Sequence, residues 1–220
     1  MRLLYVIDSL APGGAETSLA EMASPLVGLG IELHVLPLKR RLDLAPRLMN
    51  AGAFIHADEE ATSRALRVRL VQKVAARVAP DLIHTTLFEA DVAGRVGARL
   101  SGTPVSSSIV GDSYGPGHYA QHGFTRVSLA RLIDTATARV VSRFHTNSYA
   151  LAQTVPARIR VPVSRVEVIP RGRNPDTFRP RTEQRRRSAR ASLGLARDDA
   201  VVLAVGRLDP VKGLDHLMRA

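Results

Sequence analysis

Leu3, Leu4, Val6 and Ile7 form a near-continuous apolar run, broken only by Tyr5. Such a run predicts a strand covered on both faces, as in a parallel sheet. Pro12, Gly13 and Gly14 end it. A helix is expected next, with Leu19, Met22, Ala23 and Leu26 on one face. Pro25 sits late in that helix and is expected to bend it or end it early. Gly28 and Gly30 punctuate its end in the manner of a helix C-cap. The alternation then continues. Residues 31–38 predict a second strand, 43–50 a short helix and 53–56 a short strand. Residues 63–78 predict an amphipathic helix with Leu66, Leu70, Val71, Val74 and Val78 inward. Strands at 81–85 and 104–110 bracket a helix at 89–100, whose buried face is Val92, Ala93, Val96 and Leu100. A polar, glycine-rich loop at 111–123 carries Asp112, Tyr114, His118 and His122. A helix at 125–141, a strand at 143–146, a helix at 148–155 and a strand at 166–169 complete the series. Regular alternation implies right-handed crossovers and a doubly wound, mainly parallel α/β sheet of Rossmann-like type.

From Arg171 the texture changes. The stretch RGRNPDTFRPRTEQRRRSAR is polar, holds two prolines and ends in a charged helical run. Residues 200–205, AVVLAV, then predict a fresh buried strand leading through GRLDPVKG into a helix start. One strand and one helix cannot bury a core. The expected organisation is therefore a first domain over 1–170, a basic linker over 171–198, and the first βα unit of a second Rossmann-like domain, cut short, over 199–220.

Charge narrows the chemistry. The net charge is +11, and between Arg158 and Arg190 eleven arginines face only Glu167, Asp176 and Glu183. Such a surplus suits nucleic acid, acidic lipid or a phosphorylated ligand. Aromatic residues make up only 4% and do not interleave with the arginines, so no base-stacking platform is expected and nucleic acid is excluded as a partner. Only three of the 31 basic residues are lysine, a skew that accompanies high alanine content. Cysteine is absent, which removes disulfides and thiolate metal ligation. No run approaches the roughly 18 apolar residues of a membrane span. The apolar start is too short for a signal peptide, so a cytoplasmic protein is expected. The basic stretch allows peripheral contact with the inner face of the membrane. The helix that begins at Gly13 and Gly14 leaves its N-terminus at the carboxyl end of the first strand, where free N–H groups and the positive end of the helix dipole suit an anion. A nicotinamide site fits poorly. The turn is not G-x-G-x-x-G, and Leu38 and Lys39 stand where an acidic ribose ligand would close the second strand.

Four stretches agree in order and spacing with a known pattern: GGAE (13–16), DLIH (81–84), VIPRGRNPDTFRP (168–180) and GRLDPVKG (206–213). Together they resemble the retaining GT-B glycosyltransferases of family 4. The resemblance implies two Rossmann-like domains facing a cleft. The first binds the acceptor and the second a nucleotide-activated sugar. Sugar transfer then retains the anomeric configuration, without metal or cofactor; the nucleotide-sugar is the donor substrate. It implies that Arg207 and Lys212, with Gly13 and Gly14 from the first domain, bind the donor diphosphate. There negative charge grows as the glycosidic bond breaks, and fixed cations or N–H donors stabilise it. Glu16, His84 and Arg171 are the implied sugar or acceptor contacts. The acceptor is a sugar, a lipid-linked molecule or a small molecule. The sequence departs from the family where a catalytic histidine is usual: Val110 holds that place, which makes Asp112 and His118 the substitutes. Thr86 stands where relatives often carry a second histidine. The family's donor-site glutamates are expected beyond Ala220, so the chain alone is expected to be inactive. The alternative reading is a non-catalytic sugar- or nucleotide-binding module of the same fold. The donor-site glutamates would decide between the two.

Overall fold

The computed structural model describes residues 1–57, 61–206, 208 and 212–220. The chain divides into two compact units, Met1–Gly172 and Arg173–Ala220.

The first unit holds one seven-stranded sheet, every pairing parallel. Its strands are β1 (Arg2–Ile7), β2 (Glu32–Pro37), β3 (Phe54–Ile55), β4 (Leu82–Thr86), β5 (Val105–Ile109), β6 (Arg143–Thr146) and β7 (Val166–Val168). The order β3-β2-β1-β4-β5-β6-β7 is that of a doubly wound Rossmann-like sheet. The helices are α1 (Gly14–Gly28), α2 (Ala45–Asn50), α3 (Arg64–Val78), α4 (Phe88–Ser101), α5 (Pro116–His122), α6 (Phe124–Ala138) and α7 (Tyr149–Arg158).

Alternation along β1 splits the core. Leu4 and Val6 point to one face, where Leu36, Ile83, Val105, Ile109 and Phe144 join side chains of α3, α4, α6 and α7. Leu3, Tyr5 and Ile7 point to the other, against α1 and α2. α4 lies close to its neighbours because of two glycines. A Cβ on Gly97 would sit 2.6 Å from Val71 Cγ1, and one on Gly94 would overlap the Thr85 methyl.

The elements fall where the hydrophobic pattern puts them, with four differences. Pro25 does not end α1 early: the helix runs on to Gly28. Proline removes one N–H in the last turn only. A Schellman closure then holds the end: Gly30 N–H donates to Val27 O and Ile31 N–H to Leu26 O, with Gly30 at φ +79°. Met22, Leu66 and Leu100 are exposed, not inward. Leu66 lies one step round α3 from the buried Leu70, and Leu100 lies past Ala98, the last buried residue of α4. The 111–123 segment is not all loop, because Gly115 and Pro116 start the short helix α5. In the second unit residues 200–205 form no strand, and Val202 is 81% exposed. A strand needs a partner for its backbone and a layer for its faces. Among the described residues none supplies either. That unit contains α8 (Glu183–Ser192), capped by the Thr182 side chain, and α9 (Leu214–Arg219).

Candidate functional site

β1 and β4 are neighbours whose crossovers leave on opposite faces, so their carboxyl ends open the crevice in which such sheets bind ligands. Asp8 follows β1 there. Its Oδ1 accepts the Ala90 backbone N–H at 2.7 Å, in the first turn of α4. Leu87, the residue before α4, has no side-chain oxygen to cap the helix and sits at φ +80°. Asp8 therefore supplies the cap from another strand. Burial raises its pKa, while the Ala90 N–H and Lys39 pull the other way. Sequence reasoning missed Asp8 as a site residue. The available signal was an acid placed where an apolar run ends.

α1 begins in the same crevice. Gly13 is its N-cap, with ordinary extended backbone and no side-chain cap. The first helical bond is Thr17 N–H to Gly13 O, which leaves the N–H groups of Gly14, Ala15 and Glu16 ahead of it. The Glu16 carboxylate folds back over Gly13 and occupies the volume a Cβ there would take. Gly14 is open: a Cβ there would meet only Arg171 Nη1, at 3.9 Å. Arg171 Nη1 donates to the Gly14 carbonyl at 2.7 Å. Gly13, Gly14, Glu16 and Arg171 thus form one corner in which helix dipole and guanidinium both favour negative charge.

Beside this corner the sheet face over β4, β5 and β6 is polar. Tyr5 and Thr86 share a hydroxyl bond of 2.7 Å. His84 Nδ1 bonds Ser106 Oγ and its Nε2 bonds Ser108 Oγ, each at 2.7 Å. Ser108 Oγ also meets His145 Nδ1 at 3.0 Å. Burial pushes His84 down to about 3, and His145 adds to the shift, so the ring is neutral near neutral pH. Burial also lowers His145, with Arg171 adding to it. His84 therefore sits mid-strand with both ring nitrogens engaged. His145 was not singled out from the sequence, although Phe144 and His145 alternate beside the serines of β5 in a legible way.

The other end of the crevice is ionic. Arg95, 2% exposed, bonds Asp134 Oδ1, lies 3.4 Å from Asp91 Oδ2, and donates from Nε to Ser107 Oγ at 2.9 Å. Tyr114 OH donates to Asp134 Oδ2 at 2.7 Å. Burial pushes Asp91 up to about 7, against the pull of Arg95 and with the push of Asp134. These groups wall a cavity of about 90 Å³ that Leu87, Phe88, Ser108 and Gly111 complete. Of the two sequence-derived catalytic candidates, Asp112 stands between the lining residues Gly111 and Ser113, and His118 lies on α5. Asp112 pairs with Arg158 at 3.3 Å and packs over Gly115, while Arg158 also bonds the Tyr114 carbonyl. His118 stacks edge-on with His122, ring centroids 4.3 Å apart; partial burial and that neighbour lower its pKa. Lys212 belongs to the second unit, where it is exposed beside Gly206. Arg207 lies outside the described residues. Among the described residues no cluster of three metal-ligating side chains occurs. None of the described helices is long and apolar enough to cross a membrane.

The profile of Glycosyltransferase Family 4 matches residues 12–177. The chain is 28% identical over 229 residues to a D-inositol 3-phosphate glycosyltransferase of Acidothermus cellulolyticus, covering 94% of this chain and 49% of that protein. A Nocardioides protein of the same name is 51% identical over 57 residues, 26% of this chain and 12% of that one. The chain spans about half the length of the curated relatives it matches along most of its length. Among solved structures, Anabaena HepE in complex with UDP superposes with a TM-score of 0.79 at 22% identity, over 100% of this chain and 57% of that one. With a matching profile over most of its length and a Rossmann-like sheet of the GT-B kind, the chain belongs to glycosyltransferase family 4.

Proposed function

We propose that this chain is the acceptor-side domain, with the beginning of the nucleotide-sugar domain, of a retaining glycosyltransferase. The observation that carries the reading is the α1 corner. A helix N-terminus without a side-chain cap stands beside two glycines and an arginine, at the switch point of a family 4 fold. A nucleotide-sugar breaks its bond between the anomeric carbon and the diphosphate oxygen. The electron pair leaves with the diphosphate, the acceptor oxygen bonds the anomeric carbon, and the hydroxyl proton passes to the departing diphosphate oxygen. The α1 N–H groups suit the diphosphate, as do Lys212 and Arg207. The polar sheet face and the Glu16 carboxylate line the acceptor side. HepE is a relative in fold whose structures hold UDP and UDP-glucose, which favours a uridine nucleotide as the first donor to try. The test is a donor screen on the full-length protein, scored by nucleoside diphosphate release. Release with one nucleotide-sugar supports the reading, and the 220-residue chain alone is expected to give none. Absence of release with every donor and acceptor class, or transfer by this chain alone, would overturn it.

Two variants examine the phosphate side. Lys212→Ala removes one charge-assisted contact, worth about 1.5–3 kcal/mol. Turnover of the full-length enzyme should fall roughly 10- to 150-fold. Its melting temperature should stay put, because Lys212 is exposed. Gly14→Val is sterically open in the fold, since the new Cβ meets only the movable tip of Arg171. The variant should fold normally and lose turnover, because the valine methyl groups stand where a phosphate approaches the helix end. Wild-type kinetics from folded Gly14→Val would remove α1 from the donor site.

A further inference from the structure

The layer formed by α3, α4 and α6 lies on the sheet face opposite α1. Its outer surface is unusual in charge. α3 contains no acid. Of the acids on α4, Glu89 is held by Arg67 at 2.6 Å and Arg64 at 3.4 Å, and Asp91 is buried. The α6 acid, Asp134, is buried on Arg95. The exposed Arg69, Arg99, Arg126 and Arg139 face no described carboxylate. Between these arginines stand apolar side chains. Thr125, Leu129, Leu132 and Ala136 recur at helical spacing along the solvent crest of α6, and all four are exposed. Leu129 is 56% exposed, Leu132 65%, and Phe124, at the α5–α6 corner, 77%. Leu100 adds a fourth large apolar side chain, on α4. A helix crest facing water is ordinarily polar or charged.

We propose that this face of the helix layer docks on an anionic lipid surface. The occupant follows from charge and shape. Arginines without compensating acids are drawn to the negative potential of such a surface. Leucine and phenylalanine project from the crest, with only the small Thr125 and Ala136 completing it. That profile suits the headgroup boundary, which interfacial helices enter by their apolar side. A second copy of the chain fits less well, because Arg126 and Arg139 would face like charge across the contact. The arrangement would bring the domain to the membrane on the side away from the α1 corner, leaving the crevice free.

Vesicle co-sedimentation of the 220-residue chain tests this. The probes are vesicles of phosphatidylcholine alone, and of phosphatidylcholine with phosphatidylglycerol. Binding is expected only with the anionic lipid and should weaken as salt rises. Leu129→Gln/Leu132→Gln should lower the partition coefficient at least about tenfold without changing the melting temperature. Arg126→Glu/Arg139→Glu should do the same, which guards against misfolding of either variant. Arg185→Gln/Arg186→Gln/Arg187→Gln, in the exposed basic run, should cost less than either. Equal binding to neutral vesicles, or no binding to anionic ones, would overturn the proposal. So would loss of binding confined to the 185–187 variant. A lipid-free dimer that Leu129→Gln/Leu132→Gln converts to monomer would replace lipid with a second copy.

Discussion

Arg95→Leu is expected to destabilise the first unit by about 3–5 kcal/mol. Domains of this size are stable by only about 5–15 kcal/mol, so the variant should melt much earlier or fail to accumulate. The reason is not that the ion pairs are strongly stabilising in themselves. Taking Arg95, Asp91 and Asp134 out of water costs most of what their attraction returns. Removing the guanidinium alone leaves two carboxylates buried together, with Ser107 and Tyr114 positioned for partners that have gone. The loss should depend on pH. Asp91 already titrates near 7 in the folded chain, well above an unfolded carboxylate. A group raised in this way stabilises in acid and loses that contribution as pH climbs toward its folded value. Without Arg95 the carboxyl is raised further, so Arg95→Leu should be less damaging in acid than in base. Urea melts across pH measure this. A pH-independent loss below about 1 kcal/mol would mean that the network is not closed as described.

Phe144→Ala is expected to cost about 3–5 kcal/mol. Phe144 is 1% exposed and lies on β6, between β5 and β7. Its ring meets the Arg95 guanidinium at 5.6 Å from the centroid. Truncation leaves a cavity that flanking strands cannot close, and it strips an apolar wall from a buried cation. Because the two residues touch, the double variant Arg95→Leu/Phe144→Ala should lose less than the sum of the singles. Strict additivity in a thermal denaturation cycle would sink the contact as an energetic unit.

β1 and β2 were legible as apolar runs, and the more polar β5 and β6 by their place between helical segments in the regular alternation. β6 was placed to the residue, and β1, β2 and β4 within one residue at each end. The α1 corner was legible too, since a glycine pair at a strand's carboxyl end has a physical meaning before any ligand is known. Arg95, Asp91 and Asp134 were not. A charged residue on a helix reads as solvated, and nothing local says that α4 is covered on one side by α3 and on the other by α6. The small residues around Arg95, Gly94 and Gly97 among them, were the only hint that α4 sits deep. Asp112 reads from the sequence as a loop acid standing in for the family histidine, while its pairing with Arg158 depends on how α7 packs, a contact of long sequence range. Arg171 was visible as part of a motif. Its reach back to Gly14 required the sheet to exist first.

The position of β1 in the sheet also bears on how the chain is made. β1 pairs on one edge with β2, Leu3 beside Leu33, and on the other with β4, Leu3 beside Leu82. No hairpin shortens either connection, and parallel pairings of long range form slowly. A ribosome adds about 5–20 residues each second. The second edge of β1 therefore stays open for seconds after its residues emerge, apolar on both faces and without a strand to close it. During that interval the first α1 and β2 contacts are its only shelter. The growing chain is most exposed to misassociation before Thr86 is free to pair.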